Sequence, residues 1–405
     1  MSVITIFSGC FCNEDLVIRE VLDKTGYNLF TDKEIVAIAS RASGIAETKI
    51  SRTFSAKTSV FNKFTHEKEL SIAYLRFAIA GILSGDNLLI SGFASRLIPD
   101  EVSHVLRVCL IADMKYRISE FAKGTGLHEK DPLKYIQKYN RDRAVWINTI
   151  FGKDDPWDPE LYDIIIPVDK MSLKEAAVLI KENADKDVVR PTDRSKKAVE
   201  DFLLGARVDV ALAKEGHIVG VKAEDGVLTL TINKHVLMLG RLEEELKSIA
   251  GKVSGVNSVE TRVGVDFHQA DVYRKYDFEM PSKVLLVDDE REFVKTLSER
   301  LLMRDMGSAV AYDGASALSL VKEDEPDVMI LDLKMPGIDG IEVLRQVKKT
   351  NPEIEVIILT GHGSEADRKM CMELGAFAYL PKPVDIDVLS ETLKKANEKI
   401  QHNKI

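Results

Sequence analysis

The chain has 405 residues, of which 45% are hydrophobic and 30% charged, with a formal net charge of −9. A length of this kind accommodates roughly two to four domains with cores of their own, and the acidic balance argues against a surface dominated by nucleic-acid binding. Four scattered cysteines suit a reducing compartment, no run approaches the ~20 apolar residues of a membrane span, and MSVITIFSG lacks the basic and apolar regions of a signal peptide, so a cytoplasmic protein without a transmembrane segment is expected.

The first element is a short apolar strand at residues 3–7 (VITIF), followed by a turn at Ser8-Gly9 and a helical pattern over 15–22. Cys10-Phe11-Cys12 has no second ligand pair at metal-binding spacing, so no structural metal is expected there. Further strands are expected at 88–91, 105–111 and 163–168, and Ser172-Leu173-Lys174-Glu175 forms a capping box that opens a final amphipathic helix. Strands that alternate with helices predict a parallel α/β domain over about 1–185.

The layout of this segment resembles the cytidylate-kinase-like group of nucleoside monophosphate kinases. The carriers are VITIF and its turn, residues 30–35 (FTDKEI), residues 87–92 (NLLISG), residues 140–144 (NRDRA), Phe151-Gly152, and residues 161–168 ahead of SLKEA. The resemblance implies a P-loop-kinase-like parallel α/β domain, with Gly9, Arg141 and Arg143 as candidates for nucleotide binding. The phosphate loop departs from the pattern. Counted from Gly9, the register GxxxxGK[ST] puts Glu14, Asp15 and Leu16 where glycine, lysine and a hydroxyl belong. Acids facing a triphosphate repel it, so a degenerate kinase fold used for sensing or partner binding is expected rather than nucleotide kinase catalysis.

Residues 181–197 (KENADKDVVRPTDRSKK) are charged, contain Pro191 and read as a linker. Beyond them, 206–212 (ARVDVAL) and 226–232 (GVLTLTI) alternate apolar and polar in part, as half-buried strands do. A helix is expected over 236–249, with Leu239, Leu242 and Leu246 at helical spacing, then a strand over 260–265. DGVLTL, a helix and VSGVNSV together resemble the BON domain, a small α/β module linked to phospholipid or other ligand binding. That predicts a small α+β middle domain over about 200–268. His217, His235 and His268 are isolated and read as surface or packing residues, and the module reads best as a connecting or dimerising element, with homodimerisation open to the chain.

After a second connector at 269–281, acids, a hydroxyl and a lysine recur at the ends of successive apolar runs. Residues 283–287 (KVLLV) run into Asp288-Asp289-Glu290, 328–331 (VMIL) into Asp332, and 356–359 (VIIL) into Thr360, while 376–380 (AFAYL) precede Pro381-Lys382-Pro383. Apolar runs without alternation read as parallel strands buried on both faces, and in open α/β sheets the functional groups gather beyond the carboxyl ends of such strands. Carboxylates at one edge repel each other by about 4 kcal/mol per pair at about 4 Å and an effective dielectric of about 20. A hard divalent cation relieves that repulsion. Asp332 is then the natural nucleophile, since a carboxylate can form an aspartyl-phosphate.

Order and spacing resemble the receiver domain of two-component response regulators, over about 282–402. The resemblance implies a flavodoxin-like, doubly wound, five-stranded parallel sheet, in which Asp332 is the phosphoacceptor. It further implies that Asp289 binds Mg²⁺ directly, that Asp288 helps through water, and that the Lys334 backbone carbonyl completes the protein ligands. Thr360 and Tyr379 match the switch pair, Lys382-Pro383 matches a lysine before a usually cis proline, and MPGIDG (335–340) fits the turn after the acceptor.

The expectation is a response regulator in an α/β multidomain chain. A sensor histidine kinase or a phosphotransfer protein would phosphorylate it, and output would pass through the N-terminal domains or a protein partner. No helix-turn-helix with basic residues stands out, so no DNA-binding domain is evident. Two alternatives stay open: a receiver-regulated cytidylate-like kinase, and a membrane-surface adaptor acting through the BON-like module.

Overall fold

The computed structural model describes residues 2–57, 59–124, 131–233, 239–264, 281, 283–302, 304, 306–361 and 363–403. Its contacts divide the chain into two compact units: Met1–Thr58 with Lys68–Tyr273, and Ser59–Glu67 with Arg274–Ile405. Almost all of the connector expected at 269–281, together with His235 and His268, lies outside the described residues. Among the described residues no helix is long and apolar enough to cross a membrane.

In chain order the first unit opens with β1 (Val3–Ser8), α1 (Glu14–Thr25), β2 (Asn28–Phe30), α2 (Asp32–Ser43) and α3 (Glu47–Arg52). The one-turn α4 (Asn62–Thr65) belongs to the other unit, and the chain returns with α5 (Glu67–Ile82), β3 (Leu88–Ser91), β4 (Val105–Ile111), α6 (Met114–Gly124), α7 (Pro132–Phe151), β5 (Ile164–Pro167) and α8 (Leu173–Ala184). The five strands form one parallel sheet in the order β2-β3-β1-β4-β5. Every residue of β1 is buried, and successive side chains leave by opposite faces: Val3 and Phe7 enter one apolar cluster, Ile4 and Ile6 the other. That two-sided burial is why the strand reads as a continuous apolar run. The capping box expected at Ser172 and Glu175 opens α8.

The stretch expected to be a linker is instead folded. A turn of 3₁₀ helix at Asp187–Val189 buries Val189, and α9 (Asp193–Lys214) starts two residues after Pro191, its first turn closed by reciprocal bonds between Thr192 and Ser195. The charges that suggest a linker sit mostly on its solvent side. The strand expected at 206–212 is likewise part of α9. Seven residues with apolar groups at 206, 208, 210 and 212 satisfy a two-residue period, but Val199, Ala206, Val208 and Leu212 also fall on the buried face of a 22-residue helix. Its length and N-terminal cap decide the matter.

The rest of this unit is β6 (Gly220–Glu224), β7 (Val227–Ile232), α10 (Leu239–Ala250) and β8 (Ser258–Val263). β6 and β7 pair antiparallel across Asp225-Gly226, whose φ values of 53° and 79° suit the tight hairpin turns that need both central residues left-handed. β8 adds parallel to β7, and Leu228, Leu230 and Ile232 pack with Val208 and Leu212 of α9 and Leu242 and Leu246 of α10. The α9 helix thus serves two cores, since Val199 joins the cluster of the larger sheet.

The second unit holds β9 (Val284–Val287), α11 (Arg291–Leu302), β10 (Ser308–Ala311), α12 (Gly314–Glu323), β11 (Val328–Leu331), α13 (Gly340–Thr350), β12 (Glu355–Thr360), α14 (Glu365–Glu373), β13 (Ala378–Pro381) and α15 (Ile386–Asn403). Its strands are all parallel, in the order β10-β9-β11-β12-β13, which is the doubly wound arrangement expected. Leu285 and Val287 face one apolar cluster while Val284 and Leu286 face the other, and β11 and β12 divide in the same way.

Candidate functional site

The carboxyl ends of β9, β11, β12 and β13 bring the polar residues of the second unit to one edge. Asp288 follows β9 and Asp332 follows β11, both almost fully buried. Thr360 is the buried last residue of β12, and Lys382 follows β13. Backbone bonds continue the sheet into these positions: Asp332 N–H donates to the Val287 carbonyl at 2.9 Å and Lys382 N–H to the Thr360 carbonyl at 2.9 Å. The Lys382–Pro383 peptide is cis, as the motif implies.

One carboxylate oxygen from each of Asp288, Asp289 and Asp332 lies within 4.8 Å of the others. Lys382 Nζ stands 2.5 Å from Asp288 Oδ2, 3.4 Å from Glu290 Oε1 and 3.6 Å from Asp332 Oδ1, and 4.4 Å from the centroid of the Phe293 ring. Burial pushes the Asp288 carboxyl up, against the pull of its hydrogen bond to Lys382, and Asp332 adds to the upward push. Burial works in the opposite sense on Lys382, but the hydrogen bond and charge of Asp288 override it and hold the ammonium above its usual range. Three hard oxygen donors, from Asp288, Asp289 and Asp332, therefore converge, with the Lys382 ammonium against two of them, and this donor set fits a hard divalent cation. Asp289 is exposed, so one side of the set opens to solvent. Lys334 lies two residues beyond Asp332 in the loop that Gly340 closes by donating its N–H to the Leu333 carbonyl at 3.0 Å.

Tyr379 sits in β13 beside the last residues of β12. Its hydroxyl is buried and has no hydrogen-bond partner among the described residues. A Cβ added at Gly363 would come within 1.6 Å of that hydroxyl and 3.1 Å of Thr360 Cγ2, so a side chain at 363 is excluded while Tyr379 points inward. An unpartnered buried hydroxyl is unfavourable, and Tyr379→Phe should raise the stability of the receiver unit by about 1 kcal/mol. Hydrogen exchange of β12 and β13 would measure it, and a loss of protection in the variant would contradict the placement.

In the first unit the loop after β1 is filled by its own side chains. Gly9 N–H donates to the Leu110 carbonyl at 3.0 Å, and a Cβ there would meet Cys12 Sγ at 3.1 Å and Arg117 Cζ at 3.4 Å. Phe11 and Asn13 hold positive φ without being glycine, and the Phe11 ring packs against Phe121 and Tyr135. Arg143 Nε donates to the Ser8 carbonyl at 2.5 Å, whereas Arg141 is exposed, so only one of the two candidate arginines reaches the loop. Of the two acids in the altered motif, Glu14 accepts a hydrogen bond from Ser8 Oγ, while Asp15 faces solvent. The second acid near this loop is Asp32. Its carboxylate accepts from Phe93 and Ala94 N–H, each at 2.8 Å, occupying the amides at the start of a 3₁₀ turn where an external anion would bind. Burial pushes Asp32 up to about 7 against those two donors, with Glu14 adding its repulsion.

The sequence did not single out Arg117. Its guanidinium donates to the Cys10 carbonyl at 2.8 Å and to Asn140 Oδ1 at 2.7 Å. It lies in a helix whose pattern carries no local signal for such a role.

Comparison with known proteins finds a family match in each unit. Residues 284–394 match the response regulator receiver domain, and residues 3–170 match the cytidylate kinase-like family. The chain carries a receiver domain in its C-terminal unit and a cytidylate kinase-like segment N-terminal to it. Similar proteins include the response regulator MprA of Mycolicibacterium vanbaalenii, 37% identical over 27% of this chain and 48% of that protein. The transcriptional regulatory protein CpxR of Klebsiella pneumoniae is 46% identical over 25% of this chain and 43% of its own. A solved receiver domain protein of Clostridium thermocellum is 35% identical, covers 29% of this chain and 96% of that one, and superposes with a TM-score of 0.29. The chain spans about half the length of the curated relatives it matches.

Proposed function

We propose that the chain is a phosphorylation-switched regulator in which Asp332 accepts the phosphoryl group of a phosphohistidine, carried by a sensor histidine kinase or a phosphotransfer protein. The observation that carries this reading is the convergence of Asp288, Asp289 and Asp332 within 4.8 Å, with Lys382 Nζ 3.6 Å from the Asp332 carboxylate. One Asp332 oxygen forms the new P–O bond as the P–N bond to the donor imidazole breaks, and the imidazole leaves with its electron pair and takes up a proton. Asp289 and Asp332 would hold Mg²⁺ directly, with Asp288 acting through water and the Lys334 carbonyl completing the set. Bound there, the ion supplies positive charge toward the phosphoryl oxygens. Lys382 and the Thr360 hydroxyl face the same oxygens and favour their charge in transfer. Afterwards Thr360 and Tyr379 rearrange together and carry the change to the surface beyond β12. Intact-mass measurement with a small acyl-phosphate donor tests the metal: one phosphoryl group should be gained with Mg²⁺ and none when EDTA is present from the start. Equal labelling in EDTA would contradict the reading.

In the first unit, Glu14 and Asp32 stand near the loop that would wrap a nucleotide's phosphates, and Arg117 and Arg143 are engaged by backbone carbonyls. This supports a sensing or partner-binding role without nucleoside monophosphate kinase turnover. Coupled ADP release with Mg-ATP and several monophosphates should stay at the background measured without the protein, and turnover above it that persists in Asp332→Asn would restore the kinase reading. The three-stranded module is best taken as a connecting or dimerising element. Sedimentation with anionic vesicles would instead support the BON-like, lipid-binding alternative.

A further inference from the structure

A short piece of the N-terminal half is built into the receiver unit. Ser59–Glu67 lies, in sequence, inside the cytidylate kinase-like segment, yet its contacts assign it to the second unit. Three kinds of interaction hold it there. Ser59 Oγ and Val60 N–H both donate to Asp324 Oδ2, the latter at 3.0 Å, and Asp324 is itself the residue that ends α12. Phe61 is wholly buried and belongs to the apolar cluster that includes Leu285, Met329, Leu331 and Val321 of the receiver. Lys283, almost fully buried just before β9, pairs with Glu67 at 2.7 Å and with Asp324 at 3.5 Å.

A buried lysine and a buried aspartate need partners, because an ion taken out of water without compensation is strongly unfavourable. The segment supplies them at the same place where it inserts an aromatic ring. An aromatic anchor flanked by hydrogen-bonded and ion-paired groups is the pattern of a specific contact rather than of a loop lying over a surface. The position is also informative. Lys283 and Asp324 lie before β9 and β11, at the edge of the sheet opposite Asp332 and Lys382, so this contact leaves the acceptor edge free.

We propose that Ser59–Glu67 is an intramolecular docking strap: it completes the receiver's apolar core through Phe61, balances Lys283 and Asp324, and so ties receiver stability to the N-terminal half of the chain at residues 58 and 68. This goes beyond the phosphorylation reading and does not depend on it. An isolated receiver cut at the second connector would lack one of its own core residues.

Hydrogen exchange on the full chain tests the strap. Phe61→Ala should raise exchange in β9 and β11 by roughly tenfold or more, while β1, β3 and β4 keep the rates of the unaltered protein. Glu67→Gln, which removes one ion pair and keeps the side-chain shape, should raise exchange in the same receiver strands by a smaller factor. Unchanged receiver exchange in Phe61→Ala overturns the proposal. If Phe61→Ala does not fold, Glu67→Gln decides alone, and unchanged exchange in β9 and β11 of that variant overturns it.

Discussion

Gly340→Ala is expected to destabilise the receiver unit by about 3 kcal/mol, the upper end of what overpacking normally produces. A Cβ at position 340 would lie 2.1 Å from the Asp332 carbonyl oxygen and 2.7 Å from Leu333 Cα. These are backbone atoms next to the acceptor, and Asp332 N–H is already fixed to the Val287 carbonyl. They cannot swing aside as the end of a side chain would. Either α13 moves away from the sheet or the loop from 332 to 340 is displaced, and in both cases the carboxylate leaves its place. Gly361→Ala serves as the control, because among the described residues a Cβ there meets only Lys382 Cβ at 3.8 Å, an ordinary contact. The two variants should therefore separate by most of that difference. Since the chain has two units, a single unfolding midpoint is a poor readout, and exchange of β9, β11 and β12 amides is the suitable one. Equal protection in both variants would mean that the close approach at Gly340 is misdescribed.

Much of the receiver was legible because its physics is local. Parallel strands buried on both faces announce themselves as unbroken runs such as VLLV, VMIL and VIIL, and the first polar residue after each run marks the edge where ligand groups gather. Asp288, Asp332 and Thr360 fall out of that rule. β10 was harder, since Ser308–Ala311 is made of small residues with one valine. α9 misled over part of its length because seven residues with alternating apolar groups fit either period, and only the capped N-terminus and the full 22 residues resolve the choice. The strap was invisible for a different reason. Nothing local distinguishes Phe61 from any other aromatic residue, and Asp324, which accepts from Ser59 and Val60, lies more than 260 residues away from them along the chain. Arg117 and the amides that hold Asp32 are likewise products of tertiary contact.

The largest functional effect is expected at the acceptor itself. Asp332→Asn keeps the shape of the side chain but removes its negative charge and nucleophilic oxygen, so phosphoryl incorporation should fall by roughly a hundredfold or more while the fold survives. Lys382 would then retain Asp288 at 2.5 Å and Glu290 at 3.4 Å, which keeps the edge assembled without the nucleophile. The survival of the fold is checked by unchanged exchange in β9 and β11.

Mapping the modified residue tests the central claim most directly. The unaltered chain is treated with an acyl-phosphate donor and Mg²⁺, the acyl phosphate is reduced with borohydride, and the resulting homoserine is located by peptide mass spectrometry. Homoserine at position 332, absent after EDTA and absent from Asp332→Asn, is the result expected. Homoserine at Asp288, Asp289 or any other aspartate, or a label that persists in Asp332→Asn, would contradict it.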